Sequence, residues 1–279
     1  MKLKNILLYL LPIAGLCSSC NDEWENEQFT HYISFKAPIN SDGVSRINVR
    51  YRSGNEKTTF QLPIIVSGST TNERNITVHV GLDTDTLKVL NQERFNNRTD
   101  LYYQVLPKKF YSHSETVQIN AGQDVALMPI DFSMEGIDLS DKWVLPLTIE
   151  ESPDGNYTPN YRKHYRKALL RVMPFNDYAV NYKTYLNGSE TDAPYVKNYV
   201  MMYVVDDETL FFYAGLFDET RQDRKGYRIK AKFNNNGTVT LSPADPNNKM
   251  QFALGKDDFN NEITASYSIT ESMDAIRPY

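Results

Sequence analysis

Arg46-Ile47-Asn48-Val49-Arg50-Tyr51-Arg52 alternates a polar and an apolar side chain at every step. A β-strand points successive side chains to opposite faces, so Ile47, Val49 and Tyr51 share one face, and the arginines and Asn48 share the other. The same period of two recurs along the chain. It runs through Phe60, Leu62, Ile64 and Val66, then through Ile76, Val78, Val80 and Leu82. Val117 and Ile119 make a short strand before the turn at Asn120-Ala121-Gly122, Trp143, Leu145, Leu147 and Ile149 form another stripe, and Ala168, Leu170 and Val172 form the last of this half. Short half-buried strands between turn signals predict an all-β chain whose first half is an antiparallel sandwich.

Two features interrupt the pattern. Asp85 to Phe95 reads as a helix, capped by Thr84 or Asp85, with Leu87 and Leu90 on one face. Pro63, Pro107 and Pro146 each follow a leucine within strand-like runs. Proline cannot donate to a ladder, so these strands are expected at sheet edges or with bulges. A boundary falls near Met173 to Asn181, where Pro174 and Asn176-Asp177 punctuate the last strand. A second antiparallel β region follows. Val200, Met202 and Val204 lead through Asp206-Asp207-Glu208 to Leu210, Phe211 and Phe212. Tyr227, Ile229, Ala231 and Phe233 lead through Asn234-Asn235-Asn236-Gly237 to Val239 and Leu241, and Asn-Gly between alternating strands is a strong hairpin signal. Met250, Phe252 and Leu254, then Ile263, Ala265, Tyr267 and Ile269, predict two more strands.

The chain has 279 residues and a net charge of −5, a balance that does not favour nucleic acid as a partner. Its 19 tyrosines suit strands and also exposed binding surfaces. Its first residues carry an address. Lys2 and Lys4 precede an apolar run from Ile6 to Leu16, a basic region followed by a run of signal-peptide length. The run is shorter than the roughly 20 residues that span a bilayer. Cys17-Ser18-Ser19-Cys20 follows, and small residues before a cysteine resemble the lipobox of bacterial lipoproteins. Residues 1–19 are therefore expected to be a signal peptide, with Cys20 as the lipidated residue. The two cysteines are both here, so a mature chain has no second thiol for a disulfide or a Cys-based metal site. Two or more acyl chains give stable anchoring. Residues 20–29 form an acidic tether, Asn21-Asp22-Glu23-Trp24-Glu25-Asn26-Glu27, which resembles the export signal of Bacteroidota surface lipoproteins. The expected location is the outer membrane, at its cell surface, with contact through the lipid anchor alone.

Residues 30–175 resemble the Ig-like N-terminal domain of unknown function of Bacteroidota polysaccharide-utilisation lipoproteins. The resemblance rests on Val66-Ser67-Gly68, on Asn75 to Asp83, on Thr86-Leu87 with Asn91, on Leu106-Pro107 with Tyr111, on Val117 to Gly122, and on Trp143 to Ile149. Residues 176–279 look like the β-barrel-like domain often joined to it, through Tyr213-Ala214-Gly215, Arg224 with Tyr227-Arg228-Ile229, and the Asn-Gly hairpin. Family members usually continue past the Arg277-Pro278-Tyr279 region, so this second domain is expected to be incomplete. The resemblance implies a polysaccharide or oligosaccharide ligand and outer-membrane glycan-importer components as partners. Some relatives place the first domain before a glycoside hydrolase, for which this chain has no room.

No catalytic, cofactor or metal motif emerges. Glycoside hydrolysis needs two carboxylates about 5 to 9.5 Å apart across one bond. The densest acidic cluster, Asp206-Asp207-Glu208, sits in an expected hairpin turn, and Asp83 with Asp85 and Asp257 with Asp258 read as caps or turns. The four histidines, His31, His79, His113 and His164, are far apart. No Gly-x-Ser-x-Gly elbow and no phosphate-cradling glycine loop is present. The expected function is therefore non-catalytic glycan binding. The alternatives are a glycoside hydrolase-associated protein with an unrecognised carboxylate site and a structural, adhesin-like surface protein. Sugar sites use aromatic rings in polar loops. Tyr157, Tyr161 and Tyr165, with Asn160 and Arg162, form such a segment. Tyr182, Tyr185 and Tyr195 form a second tyrosine-rich stretch. The competing reading is that these tyrosines cover a domain junction or a loop base. The Arg46, Arg50 and Arg52 face suits either an acidic partner or a solvated outer surface that discourages edge pairing.

Overall fold

The computed structural model describes residues 30–54, 56–179, 200–214 and 218–245, and the backbone of strands at 182–186, 195–200, 251–256 and 263–268. The expected signal peptide, its acceptor Cys20, the expected acidic tether and the side chains of Tyr182, Tyr185 and Tyr195 lie outside the described residues.

The first half contains β1 (Tyr32–Phe35), β2 (Ser45–Arg50), β3 (Thr58–Val66), β4 (Ile76–Leu82), β5 (Tyr103–Val105), β6 (Tyr111–His113), β7 (Thr116–Ile119), β8 (Val125–Phe132), β9 (Lys142–Ile149), β10 (Thr158–Pro159) and β11 (Lys167–Phe175). One sheet has the order β10-β1-β3-β8-β6, the other β2-β11-β9-β4-β7 with β5 alongside β9. Ile47, Val49 and Tyr51 are buried, with Asn48 exposed and Arg50 half-buried between them, as the alternation predicts. Leu82 does not follow its stripe and is exposed where β4 ends. The sheets are mixed rather than purely antiparallel, because β1 with β10, β2 with β11 and β5 with β9 run parallel.

The prolines correct the edge-strand expectation. β3 lies between β1 and β8, and β9 lies between β11 and β4. Each proline sits where a neighbour has run out. Pro63 turns its carbonyl toward Lys36 N–H, 2.9 Å away and just past the end of β1. Pro146 turns its carbonyl toward Asp83 N–H at 3.0 Å, just past the end of β4, while β5 pairs with β9 only over Lys142–Val144. The missing N–H thus faces a gap in the ladder, and the central strand tolerates it. Pro107 lies outside a strand and opens a short 3₁₀ turn.

The predicted helix is α1 (Thr84–Phe95), capped one residue earlier than expected. Asp83 accepts from Thr86 N–H at 3.0 Å and from Thr86 Oγ1 at 2.7 Å. The helix covers the outer face of the second sheet. Leu87 joins Val44, Tyr103, Val144 and Leu169 in a small second core there, with Leu90 and Phe95 packed against it. This is why β9 and β11 are buried on both faces. Asn91 pairs with β5 as a strand would: it donates to Tyr103 O at 2.9 Å and accepts from Tyr103 N–H at 2.8 Å.

The second half contains β12 (Tyr182–Leu186) paired with β13 (Tyr195–Val200), then β14 (Tyr203–Val204), β15 (Thr209–Tyr213), β16 (Arg228–Phe233) and β17 (Val239–Pro243) in one antiparallel sheet in that order, and β18 (Gln251–Lys256) paired with β19 (Ile263–Ser268). Both predicted hairpins form, and Gly237 closes the second at φ +80, a conformation that favours glycine. The chain is therefore all-β with two domains. Tyr203, Phe211, Tyr213 and Ile229 belong to a core continuous with that of the sandwich.

Polar ties reinforce the junction. Arg171 of β11 contacts Glu219 at 3.0 Å and Asp42 at 3.7 Å. Lys142 of β9 contacts the same glutamate at 3.5 Å and lies near the Phe95 and Tyr103 rings. Arg224, almost sealed from solvent, donates to Asp100 O at 2.9 Å and to Ser140 O at 3.3 Å. Burial lowers the affinity of Lys142 for its proton, and Glu219 opposes that. Burial alone pushes the Glu219 carboxyl up, but Arg171 and Lys142 outweigh it and bring it below the usual range.

Candidate functional site

The loop between β9 and β11 carries the expected tyrosines. It leaves β9 through a turn at Ser152 to Asn156. Asp154 accepts there from Ser152 Oγ at 2.6 Å and from Asn156 N–H at 3.1 Å, and Gly155 adopts φ +73. β10 then lies parallel to β1. Asn160 completes the docking: its N–H donates to Ile33 O at 2.9 Å and its amide to Ser34 Oγ at 3.0 Å, while its side-chain oxygen accepts from Arg162 N–H at 3.0 Å. A single helical turn, α2 (Lys163–Arg166), leads into β11. Arg166 anchors it by donating to Ile149 O at 3.0 Å and pairing with Glu151 at 2.8 Å.

The three tyrosines separate. Tyr157 is buried, and its hydroxyl accepts from His79 N–H at 3.0 Å and donates to Glu150 O at 3.1 Å. It ties β4 to β9 and presents no face to a ligand, so the structure takes it out of the expected platform. Tyr161 is 70% exposed and Tyr165 38% exposed. The Tyr161 ring meets Tyr32 of β1 edge-on at 5.5 Å, with the Arg162 guanidinium 5.7 Å from its centre. Tyr165 packs on the His164 ring at 4.3 Å. Two accessible aromatic faces, an arginine and a lysine therefore sit on one short, well-anchored segment. Asn160 serves as the anchor, with its amide engaged within the protein.

A cavity of about 140 Å³ adjoins α2, between that turn and α1. Lys163, His164 and Lys167 reach it from one side, and Ile39, Leu90 and Leu169 give it apolar walls. Gly43, at φ +82, keeps it open, since a Cβ there would come within 2.7 Å of Leu90. Sequence reasoning missed this cavity, because its walls come from three segments well apart along the chain, Ile39 to Gly43, Thr86 to Leu90 and Lys163 to Leu169.

A second concavity, of about 240 Å³, lies at the junction of the two halves, with Ile137 and Leu139 facing Val204, Val205 and Phe211. Two of its polar groups are engaged with each other: Arg228 donates to Asp138 at 3.0 Å, and also to Ser140 Oγ at 3.2 Å. The arginine stripe is likewise paired. Arg46 contacts Asp42 at 2.6 Å, Arg50 contacts Asp177 at 2.6 Å, and Arg52 lies 3.8 Å from Glu56. Asp206, in the acidic turn, accepts from Glu208 N–H at 3.0 Å, and the turn is closed by Val205 N–H donating to Thr209 O at 2.9 Å. Trp143 is half-buried against the core and donates to Asp138 O at 2.7 Å. Among the described residues, no three His, Cys, Asp or Glu side chains converge as metal ligands, and no helix is long and apolar enough to cross a membrane.

Residues 24–153 match the family model of a domain of unknown function, DUF4973, and residues 166–279 match a model of a C-terminal domain. No protein among those of curated function matches. A solved protein of unknown function from Bacteroides ovatus is 44% identical, with 80% of this chain and 75% of that one covered, at a TM-score of 0.67. A multidomain protein including DUF1735, also from Bacteroides ovatus, is 43% identical over 89% of this chain and 81% of its own, at 0.68. An auxiliary nutrient binding protein from Bacteroides thetaiotaomicron is 36% identical over 83% of each chain, at 0.67.

Proposed function

The chain belongs to the family that these Bacteroides proteins represent, and from that premise we propose that it is a non-catalytic lipoprotein of the outer-membrane surface that captures glycan for a polysaccharide importer. The observation that carries the reading is Tyr161: a large aromatic ring, 70% exposed, on a segment whose backbone and neighbours are otherwise tied down. An exposed aromatic on a rigid support suits the apolar face of a pyranose ring at little entropic cost. The relative of 36% identity is an auxiliary nutrient binding protein, which agrees with the capture of a nutrient. The Asp206 carboxylate caps its own turn by accepting from Glu208 N–H, which supports a role without bond chemistry.

The lipid anchor is part of the proposal and rests on Cys20 with the small residues before it. Mass spectrometry of the native protein is expected to show an N-terminal acylated cysteine, and Cys20→Ala to shift the chain out of the membrane fraction. Affinity electrophoresis against a panel of soluble polysaccharides tests the binding. Retardation by at least one glycan, without release of reducing sugar, is the expected result. Reducing-sugar release would favour the hydrolytic alternative. Stable oligomers without glycan affinity would favour the adhesin-like one.

A further inference from the structure

We infer that the cavity beside α2 takes a negatively charged sugar unit, a uronate or sulfated residue, of the glycan whose neighbouring ring stacks on the exposed tyrosines; this rests on the glycan-binding reading above. The chain as a whole is acidic, at −5, yet no carboxylate lines this cavity, and Lys163, His164 and Lys167 reach into it. Their charges are not equivalent. Lys167 is held by Asp83 and by Thr86 Oγ1 at 2.7 Å, so its charge is already answered. Lys163, in contrast, has no ion-pair partner among the described residues, and neither has Arg162 one residue before it. Arg166, on the same turn, does have a partner in Glu151. One cation without a carboxylate partner, Lys163, therefore lines the concavity, and Arg162 precedes it with its guanidinium over the Tyr161 ring.

Size and lining narrow the ligand. At about 140 Å³ the cavity is smaller than the roughly 300–1,000 Å³ of pockets for drug-sized molecules. That is the scale of one sugar unit rather than of a folded peptide or a cofactor. Ile39 and Leu90 offer an apolar wall to one ring face. Lys163 and His164, on the turn that also carries Tyr165, stand where an acidic substituent would be met. Leu90 approaches Gly43 so closely that any side chain there would fill the space.

The experiment compares polygalacturonate, alginate and hyaluronan with their carboxyl-reduced counterparts, and chondroitin sulfate with its desulfated, carboxyl-reduced form. Binding is read on the full chain purified from membranes in detergent. At least one acidic glycan is expected to bind more than about tenfold tighter than its neutral counterpart, the scale of one charge-assisted hydrogen bond. The preference is expected to shrink as salt rises from about 0.05 to 0.5 M. Lys163→Ala and Arg162→Ala, both at exposed positions, are expected to remove most of it, and Gly43→Leu to block it while Tyr161 stacking persists. Equal affinity for each acidic glycan and its neutral form overturns the inference and leaves the nutrient-capture reading intact. An acidic preference unchanged in the Lys163 and Arg162 variants overturns the assignment to this cavity. Failure to bind any glycan, acidic or neutral, overturns both.

Discussion

Arg171 Nη2 lies 3.0 Å from Glu219 Oε2, joining the central region of the first domain's second sheet to a loop of the second domain. The guanidinium is almost fully buried and shares the glutamate with buried Lys142, while Tyr203 donates to the same carboxylate at 3.2 Å. One carboxylate therefore neutralises two cations that β9 and β11 place side by side. Asp42 is the second anion near Arg171, and its Oδ1 has no hydrogen-bond partner.

Glu219→Gln preserves volume but leaves Lys142 and Arg171 as adjacent buried cations. Removing one partner of a buried ion pair costs about 3–5 kcal/mol, and the partial exposure of Glu219 places this case at or below the lower end, about 2–3 kcal/mol. Urea unfolding at neutral pH measures it. A change below about 0.5 kcal/mol would show that the Glu219 contacts do not hold the two domains together.

Tyr157→Phe deletes a buried hydroxyl that links His79 N–H to Glu150 O. The expected loss is about 1–2 kcal/mol of stability, with glycan affinity unchanged. A weakened affinity at unaltered stability would return Tyr157 to the binding surface.

Tyr161→Ala and Tyr165→Ala are expected to do the reverse. Both rings are exposed, so thermal stability should shift by no more than about 0.5 kcal/mol, while each stacking loss weakens retention on a glycan affinity gel by about three- to tenfold. Undiminished retention of the double variant would end the case for this loop.

Asp83 makes acid stability a probe of the α1 cap. Burial alone would push its carboxyl up, but hydrogen bonds from Lys167 and Thr86 outweigh it and bring it down to about 2. A depressed folded-state value stabilises the protein fully above the unfolded value near 4, and that contribution disappears as pH falls toward 2. The wild type is therefore expected to lose about 1–2 kcal/mol over this window relative to Asp83→Asn, which keeps a good capping side chain but cannot titrate. Parallel acid profiles for the two proteins would contradict this.

The class of the fold was legible in local periodicity. Ile47, Val49 and Tyr51 point inward because a strand has no other way to place them, and Asn-Gly closes its hairpin wherever the strands go. The prolines were less legible. Whether Pro63 and Pro146 are tolerated depends on where β1 and β4 stop, which is set by pairing between segments distant along the chain. The same holds for the site. Tyr157 and Tyr161 are four residues apart in one polar loop, and nothing local separates them. Tyr157 turns inward because its hydroxyl meets His79 of β4 and Glu150 just past the end of β9, while Tyr161 stays outward on the rim of β1.

Taken by itself, the order of residues determined the strands, their inward faces and the helix, because side-chain alternation and capping act over a few neighbours. Only the tertiary structure decided which tyrosines face solvent, which cations lack a counter-charge, and where a cavity opens. Those properties depend on distances between segments far apart along the chain, which packing and strand register alone set.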